Sequence, residues 1–402
     1  MTRGAGLALA LAGATACAGN PAPTSRPAPD TVAARPAPPS PLRPAPPPAP
    51  SPKPATLRLA LVGDINLGTA TLVDGVPPDS GRGLLDAAKP ALAGDLVVGN
   101  FEGVLADTGT SDKCARLRAA EPPSRRRRRA HRPPADTAEA RPGCYAFRTP
   151  TALAPRLVDA GFTHLNLANN HANDYGPDGR ASTERILDSL GLRLYGPLGR
   201  IAIDTVRRGD SVATVGLIGF ATYPFAYDLL DIARSAEVVD SVRPLVDLLI
   251  VTFHGGAEGV RALRVPETAE SLGREPRGDL RRWARAVIDA GADAVVGHGP
   301  HVLRGIEFYR GHPIVYSLGN FLTYRGFNLE GPLGVTGVLQ LEYAPDRRLL
   351  RARLVPMTQA PREGPAPDAA GAALDLVRRL SAEDFGPDAA SIAPGGAITP
   401  PP

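Results

Sequence analysis

The chain is short of aromatic residues, cysteine and net charge: phenylalanine, tryptophan and tyrosine make up 5% of it, cysteine occurs three times, and the basic excess is +4. Even that excess is local, because removing the "RRRRR" run at Arg125–Arg129 and Arg132 in the following "AHRPP" leaves the chain near neutral. No aromatic side chains are interleaved with these arginines to stack on bases, and the run lies among prolines. A basic patch without stacking partners does not read as a nucleic-acid surface, so no nucleic-acid partner is expected. The run reads instead as part of a solvated, disordered insert over residues 115–143.

A membrane-spanning hydrophobic run is missing from the start of the chain. The opening "MTRGAGLALALAGATAC" has one early positive charge at Arg3, an apolar stretch and small residues leading into Cys17. That stretch is too short to cross a bilayer and reads as an export signal over residues 1–17. "ATAC" resembles a bacterial lipobox, with Ala14 where leucine is usual, so Cys17 is expected to carry lipid and tie the protein to the membrane. Ordinary signal-peptidase cleavage near the same place and an uncleaved anchor are the alternatives. The expected location is therefore the cell envelope, as a membrane-anchored lipoprotein or a secreted or periplasmic protein. Residues 18–56 are rich in proline and alanine and are expected to be an extended tether. Only Cys114 and Cys144 remain, flanking the arginine-rich insert. In an oxidising compartment they could close it as a disulfide; two free buried thiols are the other reading.

What the chain does have is enough apolar material, 43% of 402 residues, to bury a large core. From Leu57 onward, short apolar runs alternate with helical patterns, which indicates an α/β fold. "LRLALVGDINLG" and "LVVGNFEG" read as strands ending in polar loops, with a helix in "GLLDAAKPALAGD" up to Gly94 between them. "TALAPRLVDAGF" and "DGRASTERILDSLG" read as helices stopped by Gly161 and Gly191, with the strand of "THLNLANNH" between them. "IAIDTVRR" and "SVATVGLIGF" read as a hairpin, and "GVTGVLQLEYAPDRRLLRARLVPM" as an antiparallel hairpin at the edge of a sheet. Residues 57–357 form the expected domain. Residues 358–402 are expected to be a mostly disordered extension apart from the helix-like "AALDLVRRLSAEDF".

The polar residues collect where strands stop. In α/β sheets the loops leaving the strand C-termini gather along one rim, and ligands bind there. Asp64, Asn66, Asn100, Glu102, Asn169, Asn170, His171, Asp174, His254, Glu258, His298 and His301 all lie in such loops. Any one of them could be a turn former or a cap. Together their oxygen and nitrogen donors suit a divalent metal, Mn, Zn or Fe. Such ions activate a bound water and offset charge on a leaving oxygen. Glu102 is the candidate bridging carboxylate, Asn170 offers a neutral oxygen, and His171 is the candidate proton donor. Asp174 is expected to shape the loop after His171. Glu258 is expected either to hold His254 or to contact substrate, and Asn320 in "YSLGNF" to support the rim. Ser317 lacks the glycine-flanked elbow of a serine nucleophile.

The motifs "LVGDINLG", "VVGNFEGVL", "LNLANNHANDYG", "VTFHGGAE" and "VVGHGPHVLRGIEFYRGHPIVYSLGNFL", in this order from about Leu57 to Met357, resemble those of the CapA capsule-synthesis family, the poly-gamma-glutamate biosynthesis proteins. That family is similar in turn to calcineurin-like metallophosphatases, which implies a sandwich of two β-sheets flanked by helices with metal at the strand ends. The resemblance places Asp64 at the first metal-binding aspartate, Glu102 roughly at the bridging aspartate, Asn170 and His171 at an Asn-His pair, and His254 at the isolated histidine after a strand. His298 and His301 resemble the closing pair of metal-binding histidines, with two residues instead of one between them, and Asn66 stands where a metal-binding histidine is usual. These departures leave one ion, two or none as the expectation.

The implied function is synthesis, release or transport of an extracellular anionic polymer, poly-gamma-glutamate or a related capsule, by metal-assisted hydrolysis or transfer. The implied partners are the cell-envelope polymer or its synthesis and export machinery, and the membrane through a lipidated Cys17. An inactive component that binds or guides polymer, and a secreted phosphoesterase unrelated to capsule, are the alternatives.

Overall fold

Leu59 and Leu61 point to one face of their strand and Ala60 and Val62 to the other, and all four are buried. A strand buried on both faces must lie in a sheet covered on both sides. In the computed structural model two such sheets stack on each other. The structure describes residues 56–120, 140–141, 144–208 and 211–401; the export signal, nearly all of the tether and the arginine run lie outside the described residues.

The strands that build the two large sheets around the site include β1 (Leu57–Asn66), β2 (Leu96–Phe101), β3 (His164–Asn166), β4 (Arg193–Tyr195), β5 (Ala202–Arg208), β6 (Ser211–Ala221), β7 (Leu248–His254), β8 (Ala294–His298), β9 (Ile306–Tyr309), β10 (His312–Val315), β11 (Asn320–Thr323), β12 (Val335–Tyr343), β13 (Leu349–Thr358), β14 (Ser391–Ile392) and β15 (Ala397–Thr399). The helices are α1 (Lys113–Ala120), α2 (Pro155–Asp159), α3 (Gly176–Ser189), α4 (Ile232–Val242), α5 (Leu280–Asp289) and α6 (Ala372–Phe385). The first sheet runs β14-β15-β13-β12-β1-β2-β3-β4 with β11 added beside β1. The second starts with the short strand Tyr227–Asp228 and continues β6-β7-β8-β10-β9, with β5 antiparallel to β6.

The inner faces meet through Leu59, Leu61 and Val98 of the first sheet and Leu217, Ile250 and Val296 of the second. On the outer face of the first, Val62 and Val97 pack with Leu157 of α2 and Leu187 of α3. On the outer face of the second, Val251 and Val295 pack with Val239 of α4 and with Trp283 and Val287 of α5. The layers therefore run helix, sheet, sheet, helix, which is the sandwich the resemblance implied. Among the described residues no helix is long and apolar enough to cross a membrane.

Four local expectations are corrected. The insert expected to be disordered from residue 115 begins in helix, since α1 runs through Ala120. The segment expected as a helix up to Gly94 makes only 3₁₀ turns over Asp86–Leu92, because Pro90 lies inside it and has no N–H to give. The helix expected in "TALAPRLVDAGF" is split by Pro155, which starts α2 at its first position after a 3₁₀ turn at Thr151–Leu153. The β12–β13 hairpin is not an edge, since β15 pairs with β13 through Ala352 and Ile398.

Residues 358–401, expected to be mostly disordered, are also folded. Leu374, Val377, Ile392 and Ile398 join the core between the sheets. The alanine- and proline-rich composition hides a few apolar residues, and their spacing is enough to seat α6 and the β14–β15 pair.

The site is set up by how β1 ends. Leu57 to Leu61 pair antiparallel with β12, whereas from Asp64 onward β1 pairs in parallel with β11, and its register against β2 shifts between Leu61 and Asp64. Irregularities of this kind re-aim side chains at sheet rims. The crossing is so close that a Cβ on Gly63 would lie 1.9 Å from the carbonyl oxygen of Gly319, so only glycine fits there. Asp64 is level with Asn100 and Asn100 with Asn166 in the first sheet, and His254 is level with His298 in the second.

Candidate metal centre

Strand C-termini from both sheets deliver Asp64, Glu102 and His254 to one point. Their ligand atoms lie within 4.8 Å of one another, and all three residues are buried. His254 Nδ1 is 3.2 Å from Glu102 Oε1. Glu102 Oε2 is buried without a hydrogen-bond partner. A buried carboxylate oxygen with no partner is costly unless something positive meets it. Two carboxylates and one imidazole are the donor chemistry of a divalent ion such as Mn, Zn or Fe. The residues present fit the metal that the motifs implied.

His298 and His301 lie beside Asp64, and His301 Nδ1 is also 4.0 Å from Glu102 Oε2. His301 Nδ1 is 2.9 Å from Asp64 Oδ2, and His298 Nδ1 is 3.5 Å from Asp64 Oδ1. Both of these ring nitrogens face the carboxylate. Asn170 Oδ1 is buried with no hydrogen-bond partner, so its oxygen is available to a ligand.

Asn100 sits among the same donors. Its Nδ2 is 2.8 Å from Asp64 Oδ1, 3.4 Å from Glu102 Oε1 and 3.5 Å from His254 Nδ1. Its orientation follows from hydrogen-bond accounting. The backbone N–H groups of Ala168 and His171 donate to Asn166 Oδ1 and Asn169 Oδ1. That turns both neighbouring amide nitrogens toward Asn100 Oδ1, each at 3.1 Å. The Asn100 oxygen is thereby held away from the centre, and its N–H group donates into the carboxylates.

The electrostatics are those of a crowded buried acid pair. Burial alone would raise the Asp64 carboxyl, but the imidazoles of His298 and His301 outweigh it and hold Asp64 well below the usual range. Glu102 goes the other way: burial and then the charge of Asp64 push it well above the usual range. Burial, reinforced by the Arg277 guanidinium, holds His254 well below its ordinary value and keeps it neutral, as a metal-ligating imidazole must be. Burial opposes the charging of His301, but Glu102 and Asp64 prevail and raise it.

His171 forms a second feature beside the first. Its Nδ1 is 2.7 Å from Asp174 Oδ2, and its ring packs on Phe147 with centroids 4.4 Å apart. Burial lowers the His171 pKa despite the opposing charge of Asp174. The ring of Phe327 lies against both His171 and His301, at 6.4 and 5.2 Å, so the two histidines share an aromatic wall. Asp174, expected to shape the loop, is also the hydrogen-bond partner of His171.

The remaining candidates divide. Asn66 uses both ends of its amide on backbone, donating to Glu102 O at 2.6 Å and accepting from Gly68 N at 3.1 Å. Asn320 Nδ2 donates to the carbonyls of His301 and Leu333, each at 3.2 Å. Glu258 ion-pairs with the buried Arg277. Sequence reasoning missed Lys113, Asn166, Arg277, Arg304 and Phe327. Arg304 ties the loop after His254 to the loop after His298, bonding the carbonyls of Ala257 and Ala262 and both oxygens of Glu270. An arginine so soon after the rim histidine His301 was a signal that could have been read. Lys113 lay too close to the arginine-rich insert to stand out.

Comparison with known proteins bears out the family resemblance read from the motifs. Residues 131–325 match the family model described as "Bacterial capsule synthesis protein PGA_cap". The chain is 35% identical over 185 residues to the PGA biosynthesis protein CapA of Bacillus subtilis (strain 168), covering 42% of this chain and 45% of that one. It is 32% identical over 188 residues to the capsule biosynthesis protein CapA of Bacillus anthracis, covering 42% of each. The matched region thus spans less than half the length of either relative. Among solved structures, a 5'-nucleotidase precursor from Thermus thermophilus aligns with TM-score 0.40 at 15% identity, over 80% of this chain and 58% of that one. The NAD nucleotidase of Haemophilus influenzae aligns with TM-score 0.37 at 13% identity, over 82% and 56%.

Proposed function

We propose that this relative of the bacterial capsule synthesis proteins is an exported protein that acts on an anionic cell-envelope polymer, poly-gamma-glutamate or a related capsule, by metal-assisted hydrolysis or transfer. The observation that carries this reading is the convergence of Asp64, Glu102 and His254 within 4.8 Å, beside a buried His171 paired with Asp174. A divalent ion held by the first three, with Asn170 Oδ1 as a further oxygen, would activate water and polarise the scissile amide or phosphoester.

The chain's own residues do the rest. His301 holds Asp64 through Nδ1 at 2.9 Å, with His298 Nδ1 at 3.5 Å from the same carboxylate. Asn66 and Asn169 each donate to a backbone carbonyl of the Phe101–Glu102 turn and so hold it in place. His171 spends Nδ1 on Asp174, which leaves Nε2 as the ring nitrogen able to hand a proton to a leaving group. Phe147 and Phe327 wall that ring with apolar surface. Lipidation at Cys17 would keep the domain near the membrane, and the tether would set its distance.

The orientation of Asn100 supports a second reading. Its N–H group meets Asp64 Oδ1 and Glu102 Oε1 where a cation could, so part of the acid pair is met without an ion, as suits a rim that binds or guides polymer. Metal analysis of the purified protein, followed by assays on gamma-glutamyl polymer and on phosphodiesters, separates the readings. Bound metal with cleavage or transfer of the gamma-glutamyl polymer is the expected outcome. A metal-free, inactive protein that retains polymer would favour the binding role. Rapid turnover of simple phosphodiesters alone would favour a phosphoesterase unrelated to capsule.

A further inference from the structure

Two chain segments on either side of the insert grip one carboxylate. Asp174 is fully buried, and its Oδ2 accepts from the backbone N–H of Phe147 at 2.7 Å while facing His171 Nδ1 at 2.7 Å. Its Oδ1 takes an ion pair from Lys113 Nζ. The same ammonium donates to the carbonyl of Asn170 at 3.1 Å and lies 3.3 Å from His171 Nδ1. Lys113 and Phe147 come from opposite ends of residues 115–143. The Cys114–Cys144 disulfide, with Cα atoms 5.7 Å apart, joins those ends immediately beside them.

The hydrogen-bond inventory gives this arrangement a consequence. With Lys113 on one oxygen and the Phe147 N–H on the other, the plane of the carboxylate is fixed, and the His171 ring is its remaining partner. A carboxylate fixed in this way selects the Nδ1–H tautomer and sets the direction in which Nε2 points. Phe147 adds to the constraint by packing its own ring on His171. An exposed ion pair would contribute little, but Asp174 has no exposed side-chain surface and Lys113 only 20%.

We propose that Lys113 is a positioning residue for His171, acting through Asp174, and that the Cys114–Cys144 disulfide delivers it to the site. The proposal rests on the reading of His171 as proton donor for its chemical meaning. Its test reads the ring and not turnover, so either idea can fail while the other stands.

The test is 1H–15N spectroscopy of the full chain labelled in histidine side chains, with the His171 signals assigned by their loss in His171→Ala. The oxidised protein is expected to show His171 as the Nδ1–H tautomer with a slowly exchanging, hydrogen-bonded proton. Lys113→Met is expected to lose that signal, Lys113→Arg to retain it, and thiol-reduced wild type to match Lys113→Met while its circular dichroism stays native. A Cys114→Ser/Cys144→Ser double variant repeats the last comparison without reductant. An unchanged His171 proton in Lys113→Met, or equal loss in Lys113→Met and Lys113→Arg, would overturn the role of Lys113. An unchanged proton in the reduced, folded protein would overturn the role of the disulfide. Unfolding of both the reduced protein and the double serine variant would overturn the disulfide's assigned role, since the bond would then hold the fold and not Lys113 in particular, while Met against Arg at position 113 still decides the positioning role.

Discussion

His301 Nδ1 lies 2.9 Å from Asp64 Oδ2 although 237 residues separate them in the chain. To reach it, His301 adopts a left-handed backbone at φ 59°, and Asn320 holds that turn by donating to the His301 carbonyl. A non-glycine residue in this region costs on the order of 1 kcal/mol or more and persists only where its surroundings fix it. The partner that justifies the cost is the buried carboxylate. Replacing His301 with alanine should therefore lower stability by about 3 kcal/mol, since Asp64 loses one member of a buried charged pair. Urea unfolding followed by circular dichroism measures this, and a loss below about 1 kcal/mol would mean that His298 and Asn100 hold Asp64 unaided.

Metal occupancy should sort the rim residues. Glu102→Gln and His254→Ala each remove a donor of the convergent set, and each should reduce divalent-ion content by about tenfold or more. His171→Ala should leave it nearly unchanged, because His171 Nδ1 is committed to Asp174. Elemental analysis of the purified variants checks all three, and metal loss in His171→Ala would make that ring a ligand.

Asn100 gives a prediction of opposite character. An aspartate there would place a carboxylate against Asp64 Oδ1, where Nδ2 now donates at 2.8 Å. Like charges at that distance repel in a buried site. Asn100→Asp should destabilise the metal-free protein by about 3 kcal/mol, and added manganese should restore it. The reading is the melting temperature with and without the ion. A variant that manganese does not rescue would show that no cation can lie between these side chains.

Acid stability should depend on Asp174. Burial alone would raise this carboxyl, but His171 and Lys113 outweigh it and hold it below the usual range. A folded-state value below the unfolded one, about 3.9, contributes stability that is complete above pH of about 4 and disappears as pH falls through the folded value. The deficit of Asp174→Asn relative to wild type should therefore be full near neutral pH and shrink below pH of about 4. Denaturant midpoints for the two proteins across that range test the sign.

How much of this was legible in the sequence follows from which physical signals are local. The apolar runs of β1, β2, β7 and β8 and the polar loops behind them are local patterns, and they placed Asp64, Glu102, His254 and His298 on one rim. The role of Asn100 was not legible. Its amide orientation depends on Asn166 and Asn169, and theirs on two backbone N–H groups whose directions exist only in the folded chain. Lys113 was hidden for a similar reason, because its neighbour in space is 61 residues away. The helix expected before Gly94 does not form because Pro90, itself plain in the sequence, has no N–H to give, and apolar spacing does not replace that bond.

The C-terminal segment offers the sharpest conflict between composition and packing. A chain ending at Thr358 keeps every rim residue and both members of the β12–β13 hairpin, so a reading from composition would call it complete. It would lose Leu374, Val377, Ile392 and Ile398 from the layer between the sheets and leave β13 without its β15 neighbour. Burying each of these side chains contributes about 1.5–3 kcal/mol, so the four together amount to roughly 6–12 kcal/mol, as much as the whole stability of an ordinary domain. The bare edge of β13 would also be open to pairing with other chains. The truncated protein should accordingly be insoluble or unfolded at 25 °C, as judged by size-exclusion chromatography and circular dichroism. A soluble, monomeric product with a native-like melting transition would mean that the inter-sheet core closes without this segment.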